Sequence, residues 1–223
     1  MSLSELESRS IFMIQEVKAQ FKKPAVLWST GKDSTVMLHL IKKAFLGEVP
    51  FPVIHIDTGN IFPEIYHFRD KIAKEWKFKL MIAKNEEALR HGVSPKSASR
   101  AECCHKLKIE AMEQLLETER LDVIFMSIRH DEQRVRRKER VMSSREREFL
   151  RRYSKNVGLR DFSYPFEDQD AELGQPDLGS ERRHVKVHPI FHWREQDVWQ
   201  FIKKEGLPFN PLYISKNGFR YRN

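Results

Sequence analysis

Ser29-Thr30-Gly31-Lys32-Asp33-Ser34 joins an apolar run, Ala25-Val26-Leu27-Trp28, to a helix-patterned one, Val36-Met37-Leu38-His39-Leu40-Ile41. Small hydroxyl residues and one glycine thus stand where a strand turns sharply into a helix. Backbone N–H groups at a helix start have no partner within the helix and carry the positive end of its dipole, so such a turn wraps a polyanion. Lys32, an exposed loop charge on this reading, would neutralise it. The same residue types also build ordinary turns and helix caps. The spacing is neither G-x-x-x-x-G-K-[ST] nor G-x-G-x-x-G, so the expectation is a phosphate site of another construction. Asp33, the anion in the loop, has two roles open to it: capping the helix, or ligating a Mg²⁺ that bridges phosphates.

Three more groups have chemistry to offer. Asp57-Thr58-Gly59 closes the apolar run Ile54-His55-Ile56, and a turn-forming role is the alternative to a ligand contact. Arg129 and Asp131 follow the apolar residues 122–127, and Arg136, Lys138 and Arg140 continue a basic stretch in which most side chains are expected to be solvated. Planar guanidinium forks suit sulfate and phosphate oxygens, which singles out Arg129 and Arg136 as an anion-binding pair. Cys103 and Cys104 are neighbours ahead of a helical pattern, too strained in sequence to bridge each other. They are packed small hydrophobes, part of a metal or cluster site completed by a partner, or a reactive thiol pair that relays sulfur. The nearby Lys106 and Lys108 and a helix N-terminus would favour the last.

The loop resembles the PP-loop, S-G-G-x-D-S, of the adenine nucleotide α-hydrolase-like ATP pyrophosphatases, which cut ATP between its α and β phosphates. Thr30 stands where that motif has glycine, which removes backbone freedom and narrows the space near the phosphates. Further segments follow in the same order: Ile54-His55-Ile56-Asp57-Thr58-Gly59 with Phe62-Pro63-Glu64-Ile65-Tyr66; Ile128-Arg129-His130-Asp131-Glu132 through Arg140; and His188-Pro189-Ile190, Trp193-Arg194-Glu195-Gln196-Asp197-Val198-Trp199 and Pro211-Leu212-Tyr213. They are similar to the small subunit of heterodimeric sulfate adenylyltransferase and to the phosphoadenylyl-sulfate reductases.

That resemblance implies ATP with Mg²⁺, held by Ser29, Thr30, Gly31, Lys32, Asp33 and Ser34, with Ile56, Asp57, Thr58 and Gly59 at the adenosine. Lys32, Arg129 and Arg136 would be catalytic, sulfate the acceptor, and a GTPase subunit the partner that drives an uphill reaction. The alternative keeps the ATP site but activates DNA or RNA for sulfur insertion, with Cys103 or Cys104 relaying sulfur from a cysteine desulfurase. A reductase, or a non-catalytic nucleotide-binding subunit, are further options. The cysteines resemble half of the iron–sulfur pattern of some adenylyl-sulfate reductases, but the chain has only these two, so no cluster is expected from this chain alone.

These residues need elements to position them. Short apolar runs at 25–28, 53–57, 79–83, 122–127 and 185–190 predict five strands, and helical patterns at about 34–45, 63–77 and 103–119 lie between them. The expectation is one α/β domain over 1–223, doubly wound, with a mostly parallel five-stranded sheet and helices on both faces. An N-terminal helix over 4–22 with a Ser4–Glu7 capping box, an acidic surface loop over about 154–184 and a helical tail over 193–223 complete it. Ligands of such sheets sit beyond the carboxyl ends of the strands, where Ser29, Asp57 and Arg129 all fall. Lys and Arg outnumber Asp and Glu by 40 to 32, a net charge of +8, which suits nucleotide or nucleic-acid partners. With no apolar run of membrane-spanning length and no basic-then-apolar leader, a cytoplasmic location without membrane contact is expected.

Overall fold

A computed structural model describes residues 1–132, 141–146 and 182–214. Arg136, Lys138, Arg140 and nearly all of the acidic 154–184 segment lie outside the described residues, as does 215–223. The first helix, α1 (Leu3–Gln20), is capped two residues earlier than the sequence suggests, at Ser2 rather than Ser4. Ser2 accepts from the Glu5 N–H at 3.2 Å, and the Ser2 N–H donates to the Glu5 carboxylate at 2.7 Å. Glu7 is thereby released for an ion-pair network with Lys43 and Lys204. Met13, Ile14 and Val17 face the core, whereas Phe12 is exposed.

Strands and helices then alternate: β1 (Pro24–Leu27), α2 (Lys32–Ala44), β2 (Val53–Ile56), α3 (Pro63–Trp76) and β3 (Leu80–Ala83). Two short helices, α4 (Glu86–Arg90) and α5 (Arg100–Cys104), lead through a π-helical stretch (His105–Glu110) into α6 (Ala111–Glu119). After β4 (Val123–Phe125) come β5 (Met142–Glu146), β6 (Arg182–Val187), α7 (Glu195–Glu205) and a 3₁₀ turn (Pro211–Tyr213).

The sheet order is β3-β2-β1-β4-β6-β5. The five strands β3, β2, β1, β4 and β6 run parallel, as expected of the doubly wound α/β class. The difference is a sixth, antiparallel edge strand, β5, in a basic stretch that the sequence leaves as solvated surface. Met-Ser-Ser-Arg-Glu has no alternating apolar pattern. Pairing with the open edge of β6 makes it a strand, with Met142 opposite Val187. β6 also starts at Arg182, inside the segment read as loop.

Period-2 alternation sends successive residues to opposite faces. Val26, Val53, Val123 and Phe125 pack under α1, α2 and α7. Ala25, Ile54, Ala83 and Ile124 pack under α6. Reversal of the winding between β1 and β4 opens a crevice at their carboxyl ends, the ligand position in this architecture.

Candidate active site

The loop leaves β1 at Trp28 and enters α2 at Lys32. Trp28 is anchored twice: its N–H donates to the Ile54 carbonyl at 2.8 Å, and its indole N–H donates to Thr35 Oγ1 at 3.1 Å. His55, a packed residue, holds the Trp28 carbonyl through Nδ1 at 3.0 Å. Thr30 takes φ +60°, a left-handed conformation that glycine adopts readily and a β-branched residue does not. It is fully buried, and among the described residues its hydroxyl has no hydrogen-bond partner. Gly31 is the N-cap of α2 and has no side chain to cap it, so the N–H groups of the first turn must find partners from elsewhere. Ser29 and Ser34 hydroxyls lie 3.2 Å apart, and Ser34 donates to the Gly31 carbonyl at 3.1 Å.

Two expectations about this loop are corrected. Lys32 is not an exposed charge: it is 5% exposed, with its ammonium 3.3 Å from a Glu195 oxygen and 3.5 Å from Asp33. Asp33 does not cap α2; its carboxylate pairs with Lys32 and with Arg129, which arrives from the neighbouring strand.

Arg129 is likewise not an open anion receptor. It is 3% exposed and held by Asp33 on one side and by Asp131, 3.0 Å from Nε, on the other. Burial opposes charge on Asp131, but the Glu195 N–H and the Arg129 guanidinium outweigh it and hold the carboxyl below its ordinary range. Asp131 thus links Arg129 to the start of α7. Arg136, the expected second member of the pair, lies outside the described residues.

Asp57 accepts from the Gly59 N–H and from the Tyr66 hydroxyl, both at 2.8 Å, and so builds the turn after β2. Gly59 has φ +69°, and a Cβ there would come 2.9 Å from Leu89. Beside this turn lies a cleft of about 650 Å³. Ser29, Ile56 and Thr58 line one side, and Cys103, Cys104 and Lys108 line the other. The π-helical stretch forms part of that second wall, and such bulges frequently mark functional positions. The cysteines do not sit ahead of a helix start. Ser99 caps α5, Cys103 and Cys104 close it, Cys103 is buried against Ala88 and Leu107, and Lys106 pairs with Glu110 at 2.8 Å. Both thiols are free.

The structure therefore brings Ser29, Lys32, Asp33, Ser34 and Arg129 to one crevice, with Ile56, Thr58 and the cysteine pair around the adjoining cleft. Glu195 and Tyr213 also contact Lys32, and Tyr66 contacts Asp57; each lies in a segment that carries the resemblance, but nothing in the spacing assigns it a role there. Tyr213 accepts from the Lys32 N–H at 3.0 Å, and the Lys32 ammonium lies 5.4 Å from its ring centre.

The phosphoadenosine phosphosulfate reductase domain model matches residues 23–220. "Sulfate adenylyltransferase subunit 2" of Serratia proteamaculans is 40% identical over 220 residues, which cover 96% of this chain and 68% of that protein. The subunit of the same name from Zymomonas mobilis is also 40% identical, over 96% of this chain and 67% of its own length. Phosphoadenylyl-sulfate reductase from Candida auris superposes with a TM-score of 0.63 at 17% identity, covering 94% of this chain and 88% of that one. Candida glabrata FMN adenylyltransferase in complex with ATP gives 0.63 at 15% identity, covering 95% and 58%. At these identities the two structures show a common fold. No described helix is long and apolar enough to cross a membrane. With a family model spanning most of its length and relatives this similar along nearly all of it, the chain belongs to the phosphoadenosine phosphosulfate reductase domain family, in the group of sulfate adenylyltransferase subunit 2.

Proposed function

We propose that this chain is the ATP-using subunit of a sulfate adenylyltransferase, joining sulfate to the α-phosphate of ATP with release of pyrophosphate. The observation that carries the reading is the start of α2, which Gly31 leaves without a cap of its own, with Lys32 and Ser34, at the crevice where the sheet reverses its winding. Similarity to subunits of that name over 96% of the chain supports it. In this reaction a sulfate oxygen forms a bond to the α-phosphorus while the bond to the bridging oxygen breaks, and pyrophosphate leaves with the electron pair. Such a transfer asks the protein for position and positive charge rather than covalent participation.

Ser29, Ser34, Lys32 and the loop N–H groups would take the β and γ phosphates, and the cleft beside Ile56 and Thr58 would take the adenosine, with the turn built by Asp57 and Gly59 shaping its rim. Arg129 would act as a positioning residue that orients Asp33, and Arg136 would meet the reacting anion. Mg²⁺ would accompany the triphosphate. Among the described residues no group of three or more His, Cys, Asp or Glu is arranged to hold a metal. One loop carboxylate, Asp33, fits an ion held mainly by phosphate oxygens and water. Bound there, it would neutralise phosphate charge. Forming a mixed anhydride of sulfate and phosphate is uphill, so a GTPase partner belongs to the proposal, and the cytoplasm is the compartment that supplies both nucleotides. Sulfate-dependent pyrophosphate release from ATP, measured with and without a GTPase subunit, tests the reading; release indifferent to sulfate would remove it.

The position of Cys103 and Cys104 on the cleft wall favours one second reading: sulfur relay to a DNA or RNA acceptor, with a cysteine desulfurase as partner. DNA- or RNA-stimulated pyrophosphate release that Cys103→Ser or Cys104→Ser abolishes would select it. Sulfate-dependent release retained in both variants selects the first.

A further inference from the structure

Two donors that a triphosphate needs, both on Lys32, are already occupied by the chain itself. The Lys32 N–H, at the first turn of α2, donates to the Tyr213 hydroxyl at 3.0 Å. The Lys32 ammonium lies 3.3 Å from Glu195, the first residue of α7. We propose that Glu195 and Tyr213 form an internal latch on the phosphate loop, a competing ligand that ATP displaces on entry and that returns as pyrophosphate leaves. The proposal rests on the nucleotide reading above.

The electrostatics give the direction. A carboxylate within hydrogen-bonding range of the loop lysine stabilises the empty site, and a triphosphate placed on the same ammonium would be repelled by it at short range. A phenolic oxygen on the loop N–H occupies the place of a phosphate oxygen. Both groups are able to leave without unfolding their elements. The body of α7 is fastened elsewhere: Glu205 bonds Lys43 and His39, Lys204 bonds Glu7, and the Trp193 indole N–H donates to Ser10 at 3.0 Å. Glu195, by contrast, has a side chain 53% exposed, and one rotamer change takes it to water. Tyr213 sits on the 3₁₀ turn after Gly206, half-buried, with its ring edge-on to Trp199 at 5.6 Å.

A latch and a ligand contact differ in sign. Glu195→Gln and Tyr213→Phe keep the shape of each side chain and remove the competing charge or hydroxyl. Isothermal titration of wild type and both variants with ATP, pyrophosphate and adenosine separates the cases, with circular dichroism melts confirming that each variant is folded. Either variant should bind ATP and pyrophosphate about two- to five-fold more tightly, the scale of one partly exposed ion pair or one neutral hydrogen bond. Adenosine, which has no phosphates, should bind all three proteins alike. Weaker or unchanged ATP and pyrophosphate binding in both variants overturns the latch, because the groups then assist or ignore the phosphates. An equal gain for adenosine overturns it as well, since the cleft rather than the loop has changed. Absence of ATP and pyrophosphate binding in wild type and variants alike overturns the nucleotide reading and the latch together.

Discussion

Asp33, on the first turn of α2, forms an ion pair with Arg129, which follows β4, and so ties together the two strand ends that flank the crevice. Arg129 is buried and bonded to Asp131 as well, so its removal leaves Asp33 with Lys32 alone and Asp131 with only the Glu195 N–H. Arg129→Ala should destabilise the protein by about 2–4 kcal/mol, below the fully buried case because both carboxylates retain some water. Urea denaturation measures this. Arg129→Lys restores charge without the fork and should recover only part. An Arg129→Ala protein as stable as wild type would contradict the positioning role.

Lys32→Ala should lower pyrophosphate release to near background and weaken ATP binding at least tenfold, yet change stability by no more than about 1 kcal/mol. Asp33 keeps Arg129, and Glu195 turns to water, so no charge is left buried without a partner. Parallel turnover and denaturation measurements check the pair of outcomes. Normal turnover would remove the loop from the chemistry.

Thr30→Gly tests the strained loop. Release of a β-branched side chain from φ +60° and loss of a buried hydroxyl without a described partner each favour the variant, while the added freedom of the unfolded chain opposes it by about 0.5–1 kcal/mol. Calorimetry should show stability unchanged or raised by about 1 kcal/mol. A drop beyond that would mean that the threonine methyl and hydroxyl contribute more than the strain costs.

Gly59→Ala runs the other way. Its φ of +69° makes a Cβ costly, about 1–2 kcal/mol, while the methyl end of Leu89, 2.9 Å away, can turn aside; the strained turn moves Thr58 at the cleft. The melting temperature should fall and ATP binding weaken with it. An unaltered melting temperature would show that the turn relaxes freely.

Stability should depend on pH in two stages. Burial holds His39 below its usual 6.5, with Glu205 opposing only in part, so the folded state resists protonation. Stability is therefore full above 6.5 and declines as pH falls from there toward the lower folded value. Burial opposes charge on Glu7 and Glu205, but Lys43, with Lys204 at Glu7 and His39 at Glu205, holds both below 4.5. A second loss follows below 4.5, as α7 loses its ties to α1 and α2. Urea midpoints from pH 8 to about 3 should show both, and His39→Gln should flatten the first. An identical slope in that variant would assign the first loss to another group.

The sequence by itself determined the parallel strands, the helices between them and the loop at the end of the first strand. These follow from local pattern: alternation in residues such as Ala25 and Val26, helical spacing after Lys32, and small residues at the turn between. Tertiary structure decided what each polar group meets. Asp33 was free to cap its helix until the order β1-β4 brought Arg129 beside it, and Asp57 was open to ligand until Tyr66 supplied a hydroxyl. Met142–Glu146 has no strand pattern of its own and gains one from an open edge of the sheet. Lys32 reads as an exposed cation because neither Glu195 nor Tyr213 is near it in sequence. Patterning along a chain reports which face a residue turns inward. The partners of a charge depend on which elements the packing of the core places side by side, and that is settled only when the sheet closes its order and α7 docks across α1 and α2.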